Sequence, residues 1–139
     1  MIHPKAEIHP SVVIIQSETS NIGNCKIGVG TKVHSHAWIG DGVVIGERCR
    51  IQAFAYIPPG VTIGDDVFIG PRVTFTNDKY PPSTELLPTV VEERVSIGAG
   101  AIILPGLTLW AHCRVGAGAV VTKSVPPGVL VMGNPAREK

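Results

Sequence analysis

Between Phe75 and Tyr80 the chain reads Phe-Thr-Asn-Asp-Lys-Tyr, and two of these side chains are suited to work together on a substrate. The amide of Asn77 offers both an acceptor and donors, which lets it orient an amine or a carbonyl. Asp78 beside it can take up a proton directly or through a water. The same pair also turns a chain well, since Asn and Asp side chains bond to their own backbone. The five histidines, His3, His9, His34, His36 and His112, all lie outside this segment. An imidazole is the usual general base when a hydroxyl group is to be activated. A zinc site needs three converging ligands, which the histidine spacing does not supply, so no metal is expected.

What must position these residues is a repeat. From Ile27, every sixth residue is apolar: Val33, Ile39, Ile45, Ile51, Ile57, Ile63, Ile69 and Phe75. A second run follows in Val91, Ile97, Ile103, Leu109, Val115 and Val121. Four residues after each comes an apolar or small residue, among them Thr31, Ala37, Val43, Cys49, Ala101, Leu107, Cys113 and Ala119; only Lys79 departs. Neither a helix of period 3.6 nor an isolated strand of period two sustains such a pattern, so the chain is expected to coil into stacked rungs of short strands and corners. Glycine follows the first column at 28, 40, 46, 64, 70, 98 and 116, where a tight corner favours a residue without Cβ. Cys49 and Cys113 fall in the inward column and are read as packing residues.

The period slips twice. Ile14 to Ile27 is one residue too long for two hexads, which predicts a bulge near residues 17–24. Phe75 to Val91 leaves a ten-residue insertion, with the loop near residues 76–90. Insertions in a repeat protein become loops that often build its binding face, so this one is the first place to look for function.

At 139 residues the chain suits one domain, residues 1–139. Aromatics are 5% of the chain against 16 Gly and 12 Pro, which favours strands and corners over helix. A net charge of +1 without runs of like charge predicts neither nucleic acid nor an anionic membrane as partner. No apolar stretch is long enough to span a bilayer, and the start lacks signal-peptide features, so a cytoplasmic location is expected. Three cysteines without a C-x-x-C pair argue against a disulfide framework.

The run [Ile/Val]-Gly-x-x-small-x resembles the hexapeptide-repeat acyltransferases over roughly residues 22–136. The fold this implies is all-β, a left-handed parallel β-helix with three hexads to a coil. Within that family, the segment Ile63 to Pro82, with its core Val67-Phe-Ile-Gly-Pro71 and Phe75-Thr-Asn-Asp-Lys-Tyr-Pro81, is similar to the nucleotide-linked amino-sugar N-acetyltransferases. The ending from Val115 to Ala136 is similar to the coenzyme A end of acetyltransferases in general. Two departures stand out: Pro82 replaces a usual arginine, and the added strand or helix of many relatives is not seen after Lys139.

The resemblance implies acetyl-CoA as co-substrate, a nucleotide-linked amino sugar as acceptor, and a homotrimer with active sites between subunits. Asn77 would orient the sugar amine and Asp78 would assist as catalytic partner, with Gln52, Thr76 and Tyr80 contacting substrate. Gly98, Ala99, Gly116 and Ala119 would line the pantetheine path, with Lys123, Pro135 and Arg137 toward the coenzyme A phosphates. Trp38 and Trp110 point outward and suit a subunit interface. A neighbouring subunit bringing His34, His36 or His112 into the cleft would instead suit O-acetylation of a sugar or small alcohol. A non-catalytic β-helix that assembles with other chains is the third reading.

Overall fold

In the computed structural model, which describes all 139 residues, the chain is a left-handed parallel β-solenoid of triangular section. Each hexad contributes a strand of about two residues whose first side chain faces out and second faces in, because successive side chains alternate across a strand. Every third strand stacks on the same face. Face 1 runs from Glu7–Ile8 through Val44–Ile45 to Thr108–Leu109, and face 2 from Val13–Ile14 through Arg50–Ile51 to Leu130–Gly133 and Ala136–Glu138. Face 3 runs from Asn21–Ile22 through Tyr56–Ile57 to Val120–Val121.

The two inward columns read from the period form one continuous core of 30 buried residues. Each fully buried aliphatic side chain contributes about 1.5–3 kcal/mol, so these columns dominate the stability. Cys49 and Cys113 lie inside it, as their column requires. Burial pushes the Cys25 and Cys113 thiols up to about 11 and raises that of Cys49, whose Sγ donates to the Gly64 carbonyl.

The irregular places are resolved in detail. Rungs normally pair residues 18 apart, as Lys32 with Arg50, whereas Thr62 pairs with Val90, 28 apart; the insertion is therefore ten residues long. It leaves the coil at Asn77, and its end is already strand at Thr89–Val91. Near the start, Ile22 fills an inward place between Ile14 and Ile27. The corner before it is lengthened by a 3-10 turn at Ser17–Thr19, and the corner after it is shortened. At the end, the strand Ala136–Glu138 turns back antiparallel on Leu130–Gly133.

Candidate active site

The loop rises from the corner between faces 3 and 1. Asn77 at its base donates its side-chain Nδ2 to the Pro59 carbonyl at 3.0 Å, and its own carbonyl accepts from Leu87 N at 2.8 Å. Both ends of the loop are thereby fastened to the preceding coil. Asp78 accepts from Ser83 N at 2.8 Å and from Ser83 Oγ at 2.6 Å. The Ser83 hydroxyl, then its backbone N–H, hold the Asp78 carboxyl below the usual carboxylate range. So bonded, the carboxylate closes the loop on itself and is ionised near neutrality. Thr76 is tied down too, its Oγ1 donating to the Ile103 carbonyl at 3.0 Å. Tyr80 stands exposed at the loop tip with the Lys79 ammonium 5.5 Å over its ring. Thr76 and Asp78 share a cavity of about 410 Å³ with Pro105, Gly106 and Thr122, between the loop and the next coils of the same corner.

The glycines lie along the corner between faces 2 and 3. A Cβ on Gly98 would meet Ala117 N at 2.6 Å and one on Gly116 would meet Met132 Cβ at 2.9 Å, so these positions must be bare for the rungs to stack. Ala99 is exposed beside Gly100, and Ala117 beside Gly118, both glycines at φ +70. The result is a side-chain-poor ledge with room for a thin ligand. Ala119 is a correction: it is fully buried in the inward column and has no surface to offer a cofactor.

Lys123, from the last corner between faces 3 and 1, and Arg137, from the final strand, line one cavity of about 220 Å³ at the C-terminal end of the coil. Pro135 sits exposed between the two final strands. Gln52 belongs elsewhere, in a polar cavity of about 340 Å³ on face 2 with Lys32, His34 and Arg50.

The loop and the glycine ledge therefore stand at opposite edges of face 3. From Arg72 at one edge to Asn77 at the other is five residues of near-extended chain, about 15 Å. One chain does not bring the two sets together. The face between them is apolar at its centre, its outward column being Asn21, Trp38, Tyr56, Thr74, Ile102 and Val120, with Trp38 and Tyr56 stacked at 5.0 Å.

The sequence reading missed a stack on the glycine-bearing corner. The slot that holds Gly100 and Gly118 one and two coils later is occupied by His36, Phe54 and Arg72, at φ 60, 64 and 60. A non-glycine residue in this left-handed region is strained. The His36 and Phe54 rings lie 4.7 Å apart at 10°, and the Arg72 guanidinium carbon is 4.7 Å from the Phe54 ring centre. Comparing corners 18 residues apart, rather than strands 6 apart, is the signal that reveals it. Of the histidines, His3 and His9 close local turns, His112 is exposed on the corner between faces 1 and 2, and His9 and His34 each line a cavity. No three His, Cys, Asp or Glu side chains are grouped to hold a metal. No helix is long and apolar enough to cross a membrane.

The model of the bacterial transferase hexapeptide, six repeats, matches residues 42–77, and that of the hexapeptide repeat of succinyl-transferase matches residues 88–123. The chain belongs to the hexapeptide-repeat transferase family. Among family members, nodulation protein L of Rhizobium meliloti is 38% identical over 122 residues, covering 82% of this chain and 61% of that protein. Galactoside O-acetyltransferase of Escherichia coli is 39% identical over 85 residues, covering 55% of this chain and 42% of that protein. The acetyltransferase domain of PglB from Neisseria gonorrhoeae superposes with a TM-score of 0.71 at 26% identity, covering 95% of this chain and 56% of that one. The chain thus spans about two-fifths to three-fifths of the length of these relatives.

Proposed function

We propose that this chain is an N-acetyltransferase that moves an acetyl group from acetyl-CoA to the amine of a nucleotide-linked amino sugar, acting as a homotrimer. The loop of one copy would close over the glycine ledge of the next, with the apolar outward column of face 3 covered between them. The observation that carries the reading is the division of the site across face 3, with Asn77 fixed at one edge and the half-buried Gly98 and Gly116 and the exposed Ala99 at the other.

The chemistry fits what each half lacks. Asp78 is occupied by Ser83, and the corners of the ledge, residues 98–100 and 116–118, carry no imidazole. An acceptor that needs no strong base suits this arrangement. The amine of an amino sugar is such a group, because the ring oxygens lower its basicity and leave a useful neutral fraction near neutral pH. Asn77 Oδ1 would accept from the amine while its Nδ2 stays on Pro59, which holds the nucleophile in line with the thioester carbonyl. A backbone N–H of the ledge would stabilise the oxyanion; as it collapses the C–S bond breaks, the amine proton passes to the departing sulfur, and coenzyme A leaves as its thiol. Lys123 and Arg137 would meet the coenzyme A phosphates.

A second reading, O-acetylation of a sugar hydroxyl, is favoured by the galactoside relative and would need His34, His36 or His112 as base. The deciding experiment is release of coenzyme A thiol from acetyl-CoA with a panel of nucleotide-linked 3-amino and 4-amino sugars against galactosides. Turnover confined to hydroxyl acceptors would overturn the amine reading.

A further inference from the structure

On face 2 the outward positions of successive coils are Lys32, Arg50, Phe68, Ser96 and Arg114, and no carboxylate stands among them. Lys32 and Arg50 are direct register partners on adjacent parallel strands, so their side chains leave the same face about 4.8 Å apart. Like charges placed opposite one another in a sheet are destabilising. Two neighbouring cations are answered with acids: Lys26 lies 3.8 Å from Glu7, and Arg48 bonds Asp66 at 2.9 Å and Glu47 at 2.8 Å. Lys32 and Arg50 have no such partner. They border the 340 Å³ cavity whose further polar walls are His34, Gln52 and the acid-paired Arg48.

We infer that this cavity binds the diphosphate of the acceptor nucleotide, a step that rests on the nucleotide-sugar reading above. Two cations a rung apart match two linked phosphates, and an anion between them removes the repulsion that the fold otherwise carries. Arg50 offers a planar fork of donors and Lys32 a compact point charge, the two complementary ways of holding phosphate oxygens. The next outward residue on the same face is Phe68, 36% exposed and in register with Arg50, which gives a nucleobase a ring to stack on. The sugar leaves on the other side, past Gln52. From there Gly70 and Gly98 follow Gln52 in the same corner position on the next two rungs, about 10 Å on, with the backbone of the following rung packed where a Cβ would stand, 2.8 Å away at Gly70 and 2.6 Å at Gly98. The sugar would run over the outside of this corner to reach the acetyl ledge.

Coenzyme A also carries a diphosphate, so the test separates the two sources. Calorimetric titration would use UDP, GDP and dTDP in one arm and coenzyme A in the other. Lys32→Ala, Arg50→Ala and the double variant are compared with Lys26→Ala, which removes the same charge from face 1. The expected result is a loss of at least tenfold in nucleoside diphosphate affinity for each face 2 variant and more for the double. Coenzyme A affinity and the Lys26→Ala control should stay within twofold, with partial rescue in Arg50→Lys. Absence of nucleoside diphosphate binding by the unaltered protein, losses confined to coenzyme A, or losses equal to those of Lys26→Ala would each overturn the assignment. The thiol-release assay tells the two readings apart. If nucleotide-linked amines are turned over with KM unchanged in the double variant, only the cavity assignment fails. If amines without a nucleotide are turned over equally well, the nucleotide reading fails with it.

Discussion

Asn77 Nδ2 donates to the carbonyl of Pro59, 18 residues earlier in the chain and one coil below, at 3.0 Å. This bond uses one donor of the amide and leaves Oδ1 directed by it. The residue therefore positions the loop and presents an acceptor at once, so Asn77→Ala should do two things. Turnover should fall ten- to a thousandfold, on the order of 1.4–4 kcal/mol of transition-state stabilisation. The protein should also lose about 1 kcal/mol of stability with the hydrogen bond, visible as faster proteolysis within residues 78–86. Steady-state kinetics and limited proteolysis check the two parts. Unchanged turnover with a loosened loop would make Asn77 structural only.

The second effect is one that the sequence hides. Two hydrophobic columns of period six specify the coil, because burying them leaves no other arrangement. The length of the insertion follows from the same count, as the 28-residue separation of Thr62 and Val90 bears out. The partners of a polar loop side chain follow no period. That Asn77 reaches back to Pro59, and that Asp78 turns inward to Ser83, depends on the loop's path. Likewise Ala119 belongs to the inward column by position, which argues against a cofactor role, whereas Lys32 and Arg50 become conspicuous only once register shows them stacked.

Asp78 gives a pH prediction. Its folded pKa is depressed, so the stability it adds is present above the unfolded value near ~3.9 and is lost as pH falls through the lower folded value. Between pH 6 and 9 the carboxylate stays ionised. Asp78→Asn should accordingly leave the shape of the kcat/KM profile unchanged in that range. A limb that disappears in the variant would assign the proton transfer to Asp78 after all.

Thr89 opens the first strand after the loop, and its buried Oγ1 has no hydrogen-bond partner. Thr31, buried in the equivalent column, donates to the Gly46 carbonyl at 2.8 Å and accepts from Cys49 N at 3.0 Å. An unpaired buried hydroxyl is a cost that valine, of the same shape, does not carry. Thr89→Val should raise the melting temperature by about 2–5 °C, whereas Thr31→Val should lower it. Calorimetry on both variants checks the contrast, and a stabilised Thr31→Val would show that the distinction is wrong.

The three thiols are buried, those of Cys25 and Cys113 pushed up to about 11 by that burial. A thiol attacks only as thiolate. Alkylation at pH 7.5 should leave all three unmodified in the folded protein and modify all three in denaturant, as intact mass would report. Rapid native labelling at Cys49 would mean that the coil opens at that rung.

The division of the site across face 3 is tested by mixing subunits. Asn77→Ala damages the loop edge only, and Ala99→Tyr blocks the ledge edge only, since Ala99 is exposed and a larger side chain there projects to solvent. Each variant alone should be nearly inactive. In a random mixture of equal amounts, a site is whole when an Ala99→Tyr copy supplies its loop and an Asn77→Ala copy supplies its ledge, which holds for about a quarter of the interfaces in closed rings. Co-refolded protein should therefore recover about a quarter of the activity per site, whereas the two variants mixed without exchange should recover none. A site contained within one chain cannot be repaired this way. Co-refolded activity no higher than the average of the two parents would place loop and ledge on the same subunit and remove the argument for the trimer.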